Sequence, residues 1–316
     1  MGWRGRIGLL ALGAAGLIAC GRGERAPEAG PRVALVLKTL NSPFFIEMQR
    51  GAQEAATRLG VDLVVQAAER EVDVEKQMQI VENLIQTGVK ALCITPSGSK
   101  EIVPALVKAN RAGIPVVVVD TRVDPKTAEE AQVRIDAFVG SDNYEGGRLA
   151  GQHLLALTGG KARVGILEGI PGHETGDSRL KGFRDAVKDA GDLRIVASQT
   201  ANWERDQGFT VFQNLLQAHR DLDAVFACND MMALGAVEAI AAAGRAGQVT
   251  VIGFDAVEDA RKAIASGAMA ASVAQFPGEM GRRAVESAAM LIRGEKPSPD
   301  QRVRIELVTK ETLAAP

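Results

Sequence analysis

The chain has 316 residues, with 37 lysines and arginines against 39 aspartates and glutamates, so its formal net charge is -2. This length allows one large or two ordinary domains, and the near balance of charges argues against a nucleic-acid-binding surface. The three histidines and three cysteines show no metal-ligand spacing, so we expect neither a metal nor another cofactor.

The first 20 residues have the pattern of a bacterial export signal. Two arginines precede an apolar run over 7–18, which is shorter than the roughly 20 residues that span a membrane. The tetrad ending in Cys20 resembles the lipobox of bacterial lipoproteins, which implies that 1–19 is a cleaved signal peptide and that Cys20 is lipidated. An ordinary cleaved signal with a coincidental cysteine is the alternative. The glycine- and proline-rich segment 20–31 is predicted to be a lipidated tether.

From about residue 32, short apolar runs typical of strands alternate with helical patterns. The helix predicted over 43–59 has apolar residues at steps of three and four, which indicates one buried face. Further helices are predicted near 74–85, 100–112, 143–157 and 278–293. Strands are predicted near 33–37, 61–65, 91–94, 116–119, 137–139, 164–167, 195–197, 224–227, 249–252 and 270–274, with a single last strand near 303–308.

Each half of the chain is therefore a series of strand and helix units with loops of ordinary length. Continuously apolar strands indicate a sheet that is covered on both faces. This pattern favours an α/β protein with two similar doubly wound parallel-sheet lobes. Cys93 and Cys228 lie in or beside apolar runs of different lobes, so we expect two buried thiols and no disulfide.

Polar residues follow many of the predicted strands, where open parallel sheets bind their ligands. Carboxylates, amides and a guanidinium suit a neutral polyhydroxylated ligand better than a phosphate. Trp203 and Phe44 lie beside predicted loops, where exposed rings can stack on a sugar. Two alternatives remain open, because Phe45 also fits the core face of its helix and aspartates before helices can act only as caps. The aspartates concerned are Asp142, Asp230 and Asp255.

Several motifs share their order with a known family. They span residues 39–45, 119–120, 141–143, 146–147, 229–235, 253–255 and 274–275. In these motifs the chain resembles the periplasmic monosaccharide-binding proteins of bacterial ABC importers, and most of all those of the ribose-binding type. The resemblance extends from about residue 32 to residue 310.

The resemblance implies a type I periplasmic binding protein fold, in which two lobes joined by a three-strand hinge close on a monosaccharide. The implied hinge crossings lie near 141–142, 275–276 and 304–305. The implied lobes are residues 32–141 plus 276–304, and residues 142–275 plus 305–316. The predicted ligand-binding residues are Ser42, Phe44, Phe45, Thr95, Asp120, His173, Asp177, Arg179, Trp203, Asn229, Phe254, Asp255 and Gln275.

The chain departs from the ribose-binding pattern at four of its positions, which are Ser42, Thr95, Thr121 and Asp177. His173 and Trp203 are instead similar to the glucose- and galactose-binding members. The sequence therefore leaves the sugar open between a ribose-like pentose and a hexose.

The resemblance implies a monomeric, membrane-anchored lipoprotein in the periplasm or at the outer cell surface, with an ABC permease as its partner. We expect no enzymatic activity, because phosphate-loop and nucleophile-elbow motifs are absent from the sequence. One alternative is a sugar-sensing subunit that signals to a chemoreceptor or a membrane kinase. Another is the effector domain of a sugar-responsive repressor, which the export signal and the lack of a helix-turn-helix disfavour.

Overall fold

The computed structural model describes residues 1–3 and 30–314. The predicted lipidation site at Cys20, most of the signal segment and most of the tether therefore lie outside the described residues. Within the described residues, none of the helices has the length and apolar character needed to cross a membrane.

The helices and strands alternate along the chain. The first half contains β1 (Arg32–Leu37), α1 (Pro43–Leu59), β2 (Asp62–Ala67), α2 (Val74–Gln86), β3 (Ala91–Ile94), α3 (Val103–Arg111), β4 (Val116–Val119), α4 (Pro125–Glu130) and β5 (Ala137–Ser141). The second half begins with α5 (Asn143–Thr158), β6 (Lys161–Glu168), α6 (Glu174–Val187), β7 (Asp192–Thr200), α7 (Arg205–Ala218) and β8 (Ala224–Ala227). It ends with α8 (Asp230–Ala242), β9 (Thr250–Asp255), α9 (Glu258–Ser266), β10 (Ala271–Ala274), α10 (Pro277–Ile292), β11 (Asp300–Val303), β12 (Glu306–Thr309) and α11 (Lys310–Ala314).

Two six-stranded sheets form the centres of two lobes. The first sheet has the order β11-β5-β4-β3-β1-β2 and is parallel throughout. The second has the order β12-β10-β9-β8-β6-β7 and is parallel except for β12, which runs antiparallel to β10. Apolar clusters cover both faces of the first sheet, one beneath α1 and α10 and the other beneath α2 and α3. The predicted α/β fold of two doubly wound lobes is confirmed.

Helix α1 shows how the local sequence sets an element. It begins at Pro43, whose fixed φ suits a first helical turn, and it ends before Gly60, which has a φ of 65°. Its buried face packs against α10, and Gly281 permits the close approach, since a Cβ there would lie 2.0 Å from the Met48 carbonyl oxygen. The start of α1 is thereby held at the carboxyl edge of the first sheet.

The chain passes between the two sheets three times, after β5, after β10 and between β11 and β12. These crossings form the predicted three-strand hinge. The predicted single strand over 303–308 is wrong, because β11 and β12 are separate strands that pair in different sheets and are divided at Arg304 and Ile305. The residue boundaries assigned to the lobes stay a prediction.

The two described cysteines belong to different lobes. Cys93 is in β3 and Cys228 directly follows β8, and both are buried free thiols. Burial raises the pKa of each thiol to about 12. Both therefore stay protonated at neutral pH and behave as small apolar side chains.

Candidate functional site

A cavity lies between the lobes, beyond the carboxyl ends of the central strands. Its walls combine aromatic rings, carboxylates, two cations and small polar groups from both lobes. The lining residues are Lys38, Ser42, Phe44, Phe45, Glu71, Asp120, Thr175, Arg179, Trp203, Asn229 and Asp255. Such a set can bind a small ligand that has both apolar faces and hydroxyl groups.

The wall of the first lobe is built around a buried lysine. Lys38 directly follows β1, and only 3% of its side chain is exposed. Its Nζ lies 3.5 Å from Asp120 Oδ2 and 3.6 Å from Glu71 Oε2, with the Phe45 ring centroid 5.7 Å away. Because a buried charge needs compensation, Lys38 is stabilised by the two carboxyl groups beside it.

Asp120 comes directly after β4 in a left-handed conformation, with a φ of 63°. The neighbouring Thr121 hydroxyl donates a hydrogen bond of 3.0 Å to Asp120 Oδ2. Aspartate tolerates this conformation better than most residues. The tight turn after the strand thus points a fixed carboxylate into the cavity.

Burial raises the pKa of two carboxyl groups in the cavity. The pKa of Glu71 rises to about 7, because desolvation and the negative charges of Asp120 and Asp255 outweigh the opposing effect of Lys38. The pKa of Asp255 rises to about 6, again through burial, although Arg179 acts to lower it. Near neutral pH a substantial fraction of Glu71 is therefore protonated and can donate a hydrogen bond.

Arg179 on α6 is the fixed cation of the second lobe. Its Nε donates to Asn143 Oδ1 at 2.9 Å and its Nη1 donates to the Cys228 carbonyl oxygen at 2.7 Å. The Nη1 atom also lies 3.6 Å from Asp255 Oδ1, and the guanidinium stacks on the Phe254 ring at 3.8 Å. These contacts hold the guanidinium in one orientation without using all of its donors.

Asn229 and Trp203 form the adjoining wall. The Asn229 side chain caps α8 by accepting from the Met232 N–H, and it donates to the Trp203 carbonyl oxygen at 3.1 Å. The indole lies against Gly169, where a Cβ would come within 1.9 Å of the ring. The Trp203 Nε1 atom is buried and has no hydrogen-bond partner among the described residues. A ligand in the cavity could supply one.

The aromatic rings are not exposed as the sequence predicted. Trp203 is 5% exposed and Phe44 is 6% exposed. The prediction was wrong because each ring packs against the apolar core of its own lobe, Trp203 in the second lobe and Phe44 in the first. They form walls of an internal cavity instead of platforms at a loop edge.

The three aspartates that could have been only helix caps have different surroundings. Asp142 accepts from the Glu145 N–H at the start of α5, so it is a helix cap. Asp230 is fully buried and accepts from the Ser272 hydroxyl and from a backbone N–H. Asp255 caps no helix and instead lines the cavity.

Comparison with known proteins identifies the family. A family model described as periplasmic binding protein domain matches residues 33–296. The chain belongs to this family. The predicted ribose-binding-like family membership is thereby confirmed.

Named relatives of this periplasmic binding protein cover most of its length. It is 39% identical over 287 residues to the D-ribose/D-allose-binding protein of Pseudomonas aeruginosa, covering 88% of this chain and 89% of that protein. It is 39% identical over 279 residues to the ribose import binding protein of Escherichia coli, covering 88% and 90% of the two chains.

Solved structures agree with this assignment. A periplasmic solute-binding protein from Actinobacillus succinogenes with bound D-allose aligns with a TM-score of 0.85 and 40% identity, covering 89% of this chain and 98% of that one. The Caulobacter myo-inositol binding protein aligns with a TM-score of 0.83 and 32% identity, covering 92% and 97%.

The structure of the binding protein brings together most of the predicted ligand-binding residues. Those that line the cavity are Ser42, Phe44, Phe45, Asp120, Arg179, Trp203, Asn229 and Asp255. The other five do not line it. The Thr95 hydroxyl donates to the Val36 carbonyl oxygen, Phe254 lies beneath Arg179, and Gln275 donates to Asp255. The ligand-binding roles of all thirteen residues stay predictions.

His173 and Asp177, the remaining two, lie at the start of α6. His173 is buried beside the backbone of Ser97 in the first lobe, and burial lowers its pKa to about 3. The next backbone N–H, of Glu174, donates to Ser99 Oγ at 3.2 Å. Asp177 is exposed and lines a separate crevice between the lobes. This segment therefore joins the lobes beside the cavity.

Three cavity residues were not predicted from the sequence, namely Lys38, Glu71 and Thr175. Lys38 could have been found, because it is the first residue after β1 and so obeys the same strand-end rule as Asp120. Glu71 lies in a loop of mixed charges that is indistinguishable in sequence from a solvated surface. Within the described residues, no group of three or more histidines, cysteines and carboxylates is placed to hold a metal ion.

Proposed function

We propose that this chain captures a monosaccharide between its lobes, outside the cytoplasm, and delivers it to an ABC importer. The observation that carries the proposal is the cavity itself, in which carboxylates, cations and aromatic rings from both lobes face one small space. A sugar ring presents hydroxyls around its edge and apolar C–H faces, which match these two kinds of wall.

The charge of the site supports a neutral ligand. Three carboxyl groups, Glu71, Asp120 and Asp255, face two cations, Lys38 and Arg179. With Glu71 protonated, the charges in the cavity sum to zero, and each ionised group already has an opposite charge within 4 Å. A ligand with a net charge would disturb this balance, whereas hydroxyls can both donate and accept within it.

D-Ribose and D-allose are the first sugars to consider, since relatives with 39% identity carry these names. We propose binding without chemical conversion. The buried carboxyl groups lie next to cations or an amide donor, an arrangement that suits hydrogen bonding to hydroxyls. We also propose that Cys20 carries a lipid anchor, which rests on the sequence pattern alone.

Calorimetric titration with D-ribose, D-allose, D-glucose, D-galactose and myo-inositol tests the proposal. We expect one sugar per chain to bind with a dissociation constant in the micromolar range or below, equivalent to about -8 kcal/mol. The sugar should be recovered unchanged from the complex, as read by NMR. Absence of binding across the panel, or conversion of the sugar, would refute the proposal.

A further inference from the structure

A second space between the lobes borders the central cavity. It is a groove that shares Phe44 and Asp255 with the cavity as walls. Its remaining sides come from the first turn of α1, the loop between β9 and α9, and the chain between β10 and α10. Both lobes and one hinge crossing therefore meet around it.

Gln275 is the polar group that lies between the cavity and the groove. It is 4% exposed, and its Nε2 donates to Asp255 Oδ1 at 2.8 Å. Its Oε1 is buried without a partner among the described residues, and the side chain lines the groove. Because buried amide oxygens are almost always hydrogen bonded, this atom indicates a missing donor such as a ligand hydroxyl or N–H.

The outer part of the groove has the composition of a site for a hydroxylated ring. Three carboxylates line it, and each pairs with a cation on its own helix. These pairs are Glu47 with Arg50, Glu258 with Lys262, and Glu279 with Arg283. Arg261 has no ion-pair partner among the described residues, and its Nε donates to a backbone carbonyl oxygen. Arg261 lines the groove together with Phe276 and Pro277.

We infer that this groove is a second ligand subsite and that the binding protein accepts O-glycosides. The first ring of such a ligand fills the central cavity, and the group linked to it passes Asp255 and Gln275 into the groove. This inference rests on the proposed function, because it requires that a sugar occupies the central cavity. It extends the ligand class from free monosaccharides to glycosides.

The test compares a free sugar with its glycosides by calorimetry on the full chain. The probes are D-ribose and D-allose, together with the methyl and benzyl glycosides of both anomers. We expect at least one glycoside to bind within about tenfold of its parent sugar. If the site instead encloses only the free sugar, the linked group of every glycoside overlaps with the protein. All glycosides would then bind more than about a hundredfold more weakly than the free sugar.

Two matched variants test whether the group linked to the sugar lies in the groove. Glu258→Trp narrows the groove, and Asp259→Trp makes the same change one residue further on the exposed start of α9, outside the groove. We expect Glu258→Trp to weaken benzyl glycoside binding by about tenfold or more while the free sugar changes by less than about twofold. Asp259→Trp should leave both affinities unchanged.

Equal effects of the two variants, or exclusion of all glycosides, would overturn the subsite. Failure of the free sugars to bind would instead overturn the proposed function, together with the inference that rests on it. The two failures are distinguishable because the free sugars and the glycosides are titrated separately.

Discussion

A single lysine organises the charges of the first-lobe wall. Lys38 lies between Asp120 and Glu71 with almost no exposure to solvent, and its three N–H donors can serve both the carboxylates and a ligand. Removing the charge of one of these groups changes the electrostatic environment of the other two. Substitutions at Asp120 and at Glu71 therefore test the arrangement separately.

Asp120→Asn should weaken binding of the cognate sugar by about 10- to 100-fold, since a hydrogen bond to a charged group contributes about 1.5–3 kcal/mol. Asparagine tolerates the φ of 63° at this position, so the turn after β4 should persist. Calorimetry measures the affinity and circular dichroism verifies the fold. Asp62→Asn is the control, because Asp62 pairs with Arg32 on the surface of the same lobe. Normal affinity in Asp120→Asn would show that this carboxylate does not contact the sugar.

Glu71 gives the protein a specific pH dependence. The pKa of Glu71 is raised in the folded state from 4.5 to about 7, so the folded chain binds a proton that the unfolded chain releases. The free energy of unfolding contributed by this group therefore falls as pH rises from about 4.5 to about 7. Glu71→Gln removes the contribution. We expect the difference in unfolding free energy, wild type minus variant, to decrease across this window in urea titrations.

The contributions of other titrating groups to the unfolding free energy largely cancel when the variant is subtracted from the wild type. The lowered pKa of His173 affects wild type and variant alike. Burial, the largest cause of the raised pKa of Asp255, is also the same in both. A difference that stays constant or increases with pH would mean that Glu71 is ionised in the fold at low pH, which would contradict its buried position in the cavity.

Site residues could be predicted from the sequence when their type differs from that of the neighbouring residues. Asp120 and Asn229 follow apolar runs, and Trp203 stands in a polar segment; the structure places all three in the cavity wall. Glu71 could not be found in this way, because its place in the cavity wall beside Lys38 and Asp120 brings together residues that are distant in sequence. The position of Asp177 likewise depends on the rotation of α6, which local sequence does not specify.

At the scale of elements, the packing of α5 against α6 positions Arg179. A Cβ at Gly147 on α5 would lie 2.0 Å from the Arg179 carbonyl oxygen, so the glycine allows the two helices to meet. Gly147→Ala should lower the free energy of unfolding by about 1–3 kcal/mol through overpacking. It should also weaken sugar binding, because the displaced segment carries the guanidinium. Denaturant titration and calorimetry measure the two effects.

Gly191→Ala is the matched control for this prediction. A Cβ at Gly191 would meet no heavy atom within 4 Å, so the same chemical change should leave stability and affinity nearly unaltered. Equal stability of the two variants would show that the α5–α6 contact is not tight and does not position Arg179.

Most strands and helices could be predicted because each local pattern agrees with the packing around it. The run of four valines in β4 is buried on both faces, and the α1 pattern matches its observed bounds. The prediction of a single strand failed at β11 and β12, which lie in two different sheets, although the family resemblance implied a crossing near 304–305. Which sheet a short strand joins is decided by partners distant in sequence, so the run itself does not contain that information.

At the scale of the whole molecule, the structure describes a closed arrangement of two lobes. Their contacts beside the cavity include Glu174 with Ser99 and His173 with Ser97. A ligand held by both walls stabilises this arrangement in proportion to its preference for the closed form over the open form. The three chain crossings are the only covalent connections between the two described sheets, which permits a hinge motion.

Small-angle X-ray scattering with and without the tightest-binding sugar of the panel tests capture by closure most directly. The account predicts a smaller radius of gyration at saturating sugar than in the free protein. It also predicts no change when a non-binding sugar of the panel is added. Identical scattering curves for the free and the saturated protein would contradict the claim that the sugar draws the two lobes together.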